Sequence, residues 1–160
     1  ALRDSDNGRM HKIHDYDLAV YAPGGITQQQ QIMAQLQQDS TVVPGSCCEL
    51  SKDNYELRLK GLTAPLQLVF HPVPPKAEFI AARPVVALSG IAMNNDGSVF
   101  THPAYLTDKQ NQTMTILEPG NSTATDYVQR LQQEKYATHR IVTAAPARVI
   151  KLDSKQPGGF

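Results

Sequence analysis

Two stretches of the chain share one order of apolar and polar positions. The first runs Val20-Tyr21-Ala22-Pro23-Gly24, then Thr27, then Ile32-Met33-Ala34-Gln35-Leu36-Gln37-Gln38-Asp39. The second runs Ile116-Leu117-Glu118-Pro119-Gly120, then Thr123, then Tyr127-Val128-Gln129-Arg130-Leu131-Gln132-Gln133-Glu134. In each, an apolar run meets Pro-Gly, which stops a strand and turns the chain. A hydroxyl residue follows where a helix would start. Thr27 with Gln30 fits a capping box, and Thr123 with Asp126 is its nearest equivalent. Apolar residues then fall at i, i+1 and i+4, a narrow stripe with polar residues around it. Helices are predicted over 27–38 and 123–136, with Leu36 and Leu131 as their most buried residues. A short apolar strand follows each: Thr41-Val42-Val43, and His139 to Thr143.

The expected fold class is therefore α+β: two β-α-β units in a ferredoxin-like arrangement, both helices on one face of a mostly antiparallel sheet. Between the units, residues 54–105 read as inserted β-hairpins without a helix. Tyr55, Leu57 and Leu59 alternate with charged residues, which is the pattern of a half-buried strand. Leu66–Phe70 returns beside it. Pro84–Met93 reads as a strand, and Asn94-Asn95-Asp96-Gly97 as the hairpin turn before Ser98–His102. The chain is expected to be a single domain, 1–160. Its parts are a flexible tail at 1–9, a first unit at 10–50, the hairpins at 54–105, a second unit at 111–152 and a flexible tail at 153–160.

Length and charge set outer bounds. The 160 residues suit one core, and they are 41% hydrophobic and 19% charged. Lys+Arg 15 balance Asp+Glu 15, so no broad basic footprint for nucleic acid is expected. No apolar run approaches the ~20 residues of a membrane span. The chain begins with Ala and a polar stretch, as a processed mature chain or a segment of a longer one would. Asn111-Gln112-Thr113 and Asn121-Ser122-Thr123 match the glycan acceptor pattern.

Chemistry-bearing residues are sparse. His11-Lys12-Ile13-His14-Asp15-Tyr16-Asp17 is the densest group of ligand types. Strand alternation divides it: Tyr16, Leu18 and Val20 turn inward, and His11, Asp15 and Asp17 share the other face. Only Asp15 and Asp17 stand close enough to share an ion, so they are the metal candidates, and no metal site is expected. Cys47 and Cys48 have no motif that ties a base to them. They are candidates for a vicinal or intermolecular disulfide, or for free thiols. His71, His102 and His139 each sit beside a loop. Walker, Rossmann, nucleophile-elbow and zincin motifs are absent, and no cofactor is expected.

These observations point to a non-catalytic protein-interaction or assembly module, part of an extracytoplasmic, secretion, pilus or virion assembly. Its partner would be another protein or further copies of itself, not nucleic acid. It would be secreted, periplasmic or virion-associated, and not an enzyme. The alternatives are a glycan or small-ligand binding domain, or a small hydrolase using scattered His and Asp residues.

Overall fold

A computed structural model of the chain describes residues 1–118, 120 and 122–144. The expected C-terminal tail (153–160) and the last part of the second unit (145–152) lie outside the described residues. So do Pro119 and Asn121, and with them one Pro-Gly turn and one glycan acceptor.

The fold is α+β, with mixed sheets. The chain opens with helix α1 (Leu2–Asp6) and a 3-10 turn at Met10–Lys12. Strand β1 (Tyr16–Tyr21), helix α2 (Gly25–Gln37) and strands β2 (Cys48–Ser51), β3 (Asn54–Leu57) and β4 (Leu66–His71) follow. Next come helix α3 (Ala77–Ala82), the hairpin β5 (Ile91–Met93) and β6 (Val99–Thr101), and helix α4 (Tyr105–Asn111). Strand β7 (Thr113–Ile116), helix α5 (Ser122–Glu134) and strand β8 (Arg140–Thr143) close the described chain.

The strands form three separate sheets: β1-β4-β3-β2, β5-β6 and β7-β8. The ferredoxin-like arrangement is not seen, because the two repeated segments lie in different sheets. The second segment is a β-α-β unit, in which β7 and β8 pair in parallel around α5. In the first, β1 takes β4 as its parallel partner, beyond the β2-β3 hairpin. Val42 makes only an isolated bridge to Leu59. The shared pattern records a strand, a turn and a helix, and it leaves strand partners open.

Each sheet has its own core. Met33 and Ala22 pack with Tyr55, Leu57, Leu68 and Phe70 beneath α2. Val86, Leu88, Tyr105, Met114, Val128 and Leu131 surround α5. In α5, Val128 and Leu131 of the expected stripe are buried together with Ala124, but Tyr127 is only partly buried, and Val128 rather than Leu131 is the most buried residue. In α2 the buried pair is Gln29 and Met33, spaced i and i+4, while Leu36 is only partly buried. Gln29 Nε2 donates to Asp53 Oδ1 at 2.7 Å, and Ile32 and Leu36 of the expected stripe are partly buried against the same cluster as Met33. Truncating Leu131 to Ala should cost roughly 2–5 kcal/mol, and Leu36 to Ala less, as denaturant unfolding would measure. The expected capping box is also absent. Gly24 caps α2 without a side-chain bond, and the Gln28 Oε1 accepts from the Gly24 N–H at 2.7 Å.

The span 54–105, expected to be β-hairpins without a helix, contains α3, and α4 starts at its end. Ala77-Glu78-Phe79-Ile80-Ala81-Ala82 has the Ala-rich composition of a helix former, and its two buried alanines lie i and i+4 against Ala92 and Phe100. The Asn94–Gly97 hairpin does form, as the turn between β5 and β6. Asp108, buried in α4, accepts from the Thr113 and Thr115 hydroxyls at 2.6 Å each, which ties that helix to β7. The N-terminal segment, expected as a tail, is docked through α1 and its buried Asp4.

Candidate functional site

β1 is an edge strand, and its alternation sorts its side chains. Val20 faces the α2 core beside Phe70, whereas Leu18 at the same edge remains 44% exposed. Asp17 lies on the opposite face. There it pairs in register with Gln67, which pairs in turn with Glu56, so two acids flank a glutamine across that face of the sheet. Asp15 stands two residues before Asp17, just ahead of the strand. At ~3.3 Å per residue the two sit about 7 Å apart along the backbone, on one side of it.

The electrostatics of Asp17 match this placement. Desolvation by the neighbouring chain pushes its carboxyl up even though the residue is exposed, and the charge of Asp15 pushes the same way. The N-terminal ammonium, Arg3 and Lys135 pull it back. A carboxylate pair that disfavours its own double ionisation gains when a cation binds.

The basic groups belong to a hub built on Asp4. Asp4 is 2% exposed. Its Oδ1 accepts from Arg3 Nε at 3.0 Å and from the Tyr136 hydroxyl at 2.8 Å, and its Oδ2 from Lys135 Nζ at 2.8 Å. Burial alone would raise the pKa of Asp4. The donors outweigh it and hold the carboxyl at about 2. Burial and the bond to Asp4 push the Tyr136 phenol up. Arg3 Nη1 also donates to Ser89 Oγ at 3.0 Å and to the Tyr127 hydroxyl at 2.8 Å.

Tyr127 carries the hub to an open cleft of about 520 Å³ lined by Val85, Thr123, Ala124, Asp126, Tyr127 and Arg130. The Arg130 guanidinium lies 5.8 Å from the centre of the Tyr127 ring. A ring beside a guanidinium and a hydroxyl suits a flat base with an anionic tail. Sequence reasoning missed this cleft. It saw Tyr127 as helix stripe and Arg3-Asp4 as tail, and no single-chain pattern marks residues so far apart as neighbours.

The remaining candidates are dispersed. His11 and His14 are exposed, His71 ends β4, His102 accepts through Nδ1 from the Ala104 N–H at 3.1 Å, and His139 is buried ahead of β8. Cys47 and Cys48 are free thiols. They line a small cavity of about 100 Å³ with Met33, Gln37, Glu49 and Tyr55, and burial, then the neighbouring Cys48, pushes the Cys47 thiol up. Among the described residues no group of three or more His, Cys, Asp or Glu could hold a metal ion. No helix among them is long and apolar enough to cross a membrane.

No protein-family model and no curated protein matches the chain by sequence. Solved structures match it in fold. One, described as a tRNA-processing enzyme in its apo form, superposes with a TM-score of 0.57 over 88% of this chain and 37% of its own, at 12% identity. A tRNA-processing enzyme with CTP gives 0.52 over 88% and 37%, at 15% identity. A CCA-adding enzyme with CTP gives 0.50 over 81% and 32%, at 15% identity. The chain thus spans little more than a third of the length of these neighbours.

This likeness corrects the sequence reading. The expectation of a non-catalytic assembly module, extracytoplasmic and oligomeric, gives way to a fold found in enzymes. The expectations of no enzyme and no nucleic-acid partner are overturned by the same neighbours, which process tRNA.

Proposed function

We propose that the chain is the nucleotide-handling part of an enzyme that acts on tRNA, and that it takes a nucleoside triphosphate as its magnesium complex. The carrying observation is the Asp15–Asp17 pair on an open strand edge, within the field of Arg3 and Lys135. Mg²⁺ is commonly held by one or two carboxylates plus substrate phosphates. A two-carboxylate site without a third protein ligand suits a cation that arrives with its substrate. Bound there, the cation would neutralise charge developing on the phosphates. The neighbours that were solved with CTP support the same reading.

The chain's own residues divide the work. Asp15 and Asp17 position the cation-bearing phosphates. Tyr127, Arg130 and Thr123 in the cleft offer a ring, a cation and a hydroxyl to the rest of the nucleotide. Arg3 joins the two regions by fixing the Tyr127 hydroxyl. The chemistry would be nucleotidyl transfer: an RNA hydroxyl oxygen attacks the α-phosphorus, and pyrophosphate leaves with the bond electrons. Calorimetric titration of the full chain with CTP tests this. Binding is expected with Mg²⁺ and expected to vanish with excess chelator. Equal binding under both conditions, or no binding with Mg²⁺, overturns it.

Changing Arg130 to Ala should weaken CTP binding by a factor of ~5–30, from loss of one exposed-to-desolvated cation–π partner worth about 1–2 kcal/mol. Thermal unfolding should hardly move, because Arg130 is exposed.

A further inference from the structure

His139 sits at the corner between α5 and β8, 3% exposed. Its backbone is fastened on both sides. The His139 N–H donates to the Tyr136 carbonyl at 2.9 Å, and Gln132 Nε2 donates to the His139 carbonyl at 2.6 Å. The next residue, Arg140, starts β8 by donating to the Gln112 carbonyl at 2.9 Å. The imidazole itself packs edge-on against the Tyr136 ring, with centroids 4.8 Å apart. Its Nδ1 is buried without a hydrogen-bond partner among the described residues.

That surrounding suits a neutral ring and penalises a charged one. Arg9, beside the 3-10 turn, holds its guanidinium 4.5 Å from the centre of the same Tyr136 ring, and Arg3 lies 5.6 Å from it. A proton on His139 would add a third cation around one phenol. Asp108 on α4 pulls the other way. Asp108 is already committed to the two threonines of β7. Asp4 and Lys135 beyond Tyr136 are paired with each other. Burial first, then Arg9, therefore holds the imidazole below its ordinary value.

We propose that His139 is a pH-sensitive latch: on gaining a proton it loosens the α5–β8 corner, and with it the Tyr136 and Arg9 contacts that hold the N-terminal segment in place. The latch is coupled to the hub, because the same Tyr136 hydroxyl donates to Asp4 and Arg9 Nε donates to the Lys135 carbonyl at 2.9 Å.

The sign follows from linkage. A base whose folded-state value is depressed below its unfolded one costs stability as the pH falls past the unfolded value of 6.5. The unfolding constant should rise by up to about tenfold per pH unit there, until the folded-state value is passed.

Two measurements on the full chain test the latch. In urea unfolding between about pH 8 and pH 5, His139→Phe should lose less stability than the natural chain, since the other four imidazoles are common to both. Protection of the Arg140 and α1 amides, taken relative to their intrinsic exchange rates, should fall over the same interval in the natural chain only. Should the Phe variant fail to fold, a third measurement decides: NMR titration of the natural chain should show one imidazole protonating at lower pH than the rest, and Arg9→Met should move it upward. Parallel acid curves for a folded Phe variant, or five imidazoles titrating together at ordinary values, would overturn the proposal.

Discussion

Asp4→Ala is expected to destabilise the chain by roughly 3–5 kcal/mol, the cost of leaving a buried partner charge unpaired. Lys135 and Asp4 have side chains only 7% and 2% exposed. Removing the carboxylate strands the Lys135 ammonium, takes one anion from Arg3, and leaves the Tyr136 hydroxyl without its acceptor. Asp4→Asn should cost somewhat less, since its carbonyl oxygen can still accept from one donor. The pH profile carries the sign. A carboxyl lowered from 3.8 to about 2 contributes stability that is complete above its unfolded value and is lost between about pH 4 and pH 2. Both variants should therefore flatten the acid limb in that interval. Urea unfolding followed by circular dichroism reads both effects. A loss below about 1 kcal/mol for Asp4→Ala would mean that the ion pair merely offsets its own desolvation.

How much of this was legible in the sequence depends on range. Local signals read well. The period of α5 gave its buried face, Asn94–Gly97 gave its hairpin, and the alternation of Tyr55 and Leu57 gave β3. Long-range pairing did not follow, because nothing in Val20-Tyr21-Ala22-Pro23-Gly24 distinguishes β4 from a nearer strand as the partner of β1. The repeat made the nearer one attractive. Helix α2 was found with its stripe toward the core, but Gln29 is buried beside Asp53 and Leu36 is not the most buried residue, because amphipathic counting places glutamine outside. Helix α4 was missed because Asp108 looks like a solvated charge until Thr113 and Thr115 enclose it.

The site divides in the same way. Asp15 and Asp17 stand out in the sequence because two positions along a strand is a local relation. What surrounds them is not local. Arg3 and Lys135 act on Asp17 from opposite ends of the described chain. The cleft joins Val85 to α5, and the hub links α1 to the residues after α5. A pair of carboxylates in isolation is more often a polar strand edge than a site. The basic hub and the neighbouring cleft change that weighting.

Neutralising that pair should produce the largest functional effect. Asp17→Asn and Asp15→Asn are each expected to weaken magnesium-dependent CTP binding by at least 10–100-fold, the range that changes one shell further from a metal already cause. Fold stability without the metal should stay level or rise. Asp17 has a raised folded-state value, so ionising it costs stability above its unfolded value, and removing either charge relieves the repulsion. The pH dependence separates the two roles further. In the natural chain, protons compete with the cation for Asp17, so affinity should fall as pH drops through a value above the ordinary carboxylate range. In Asp15→Asn the neighbouring charge is gone. The residual binding should then keep its strength to lower pH, although it is weaker throughout. Calorimetry over a pH series, with thermal unfolding of each variant in chelator, gives both readings. Variants that lose stability and binding together would assign Asp15 and Asp17 to holding the strand edge, not to holding a cation.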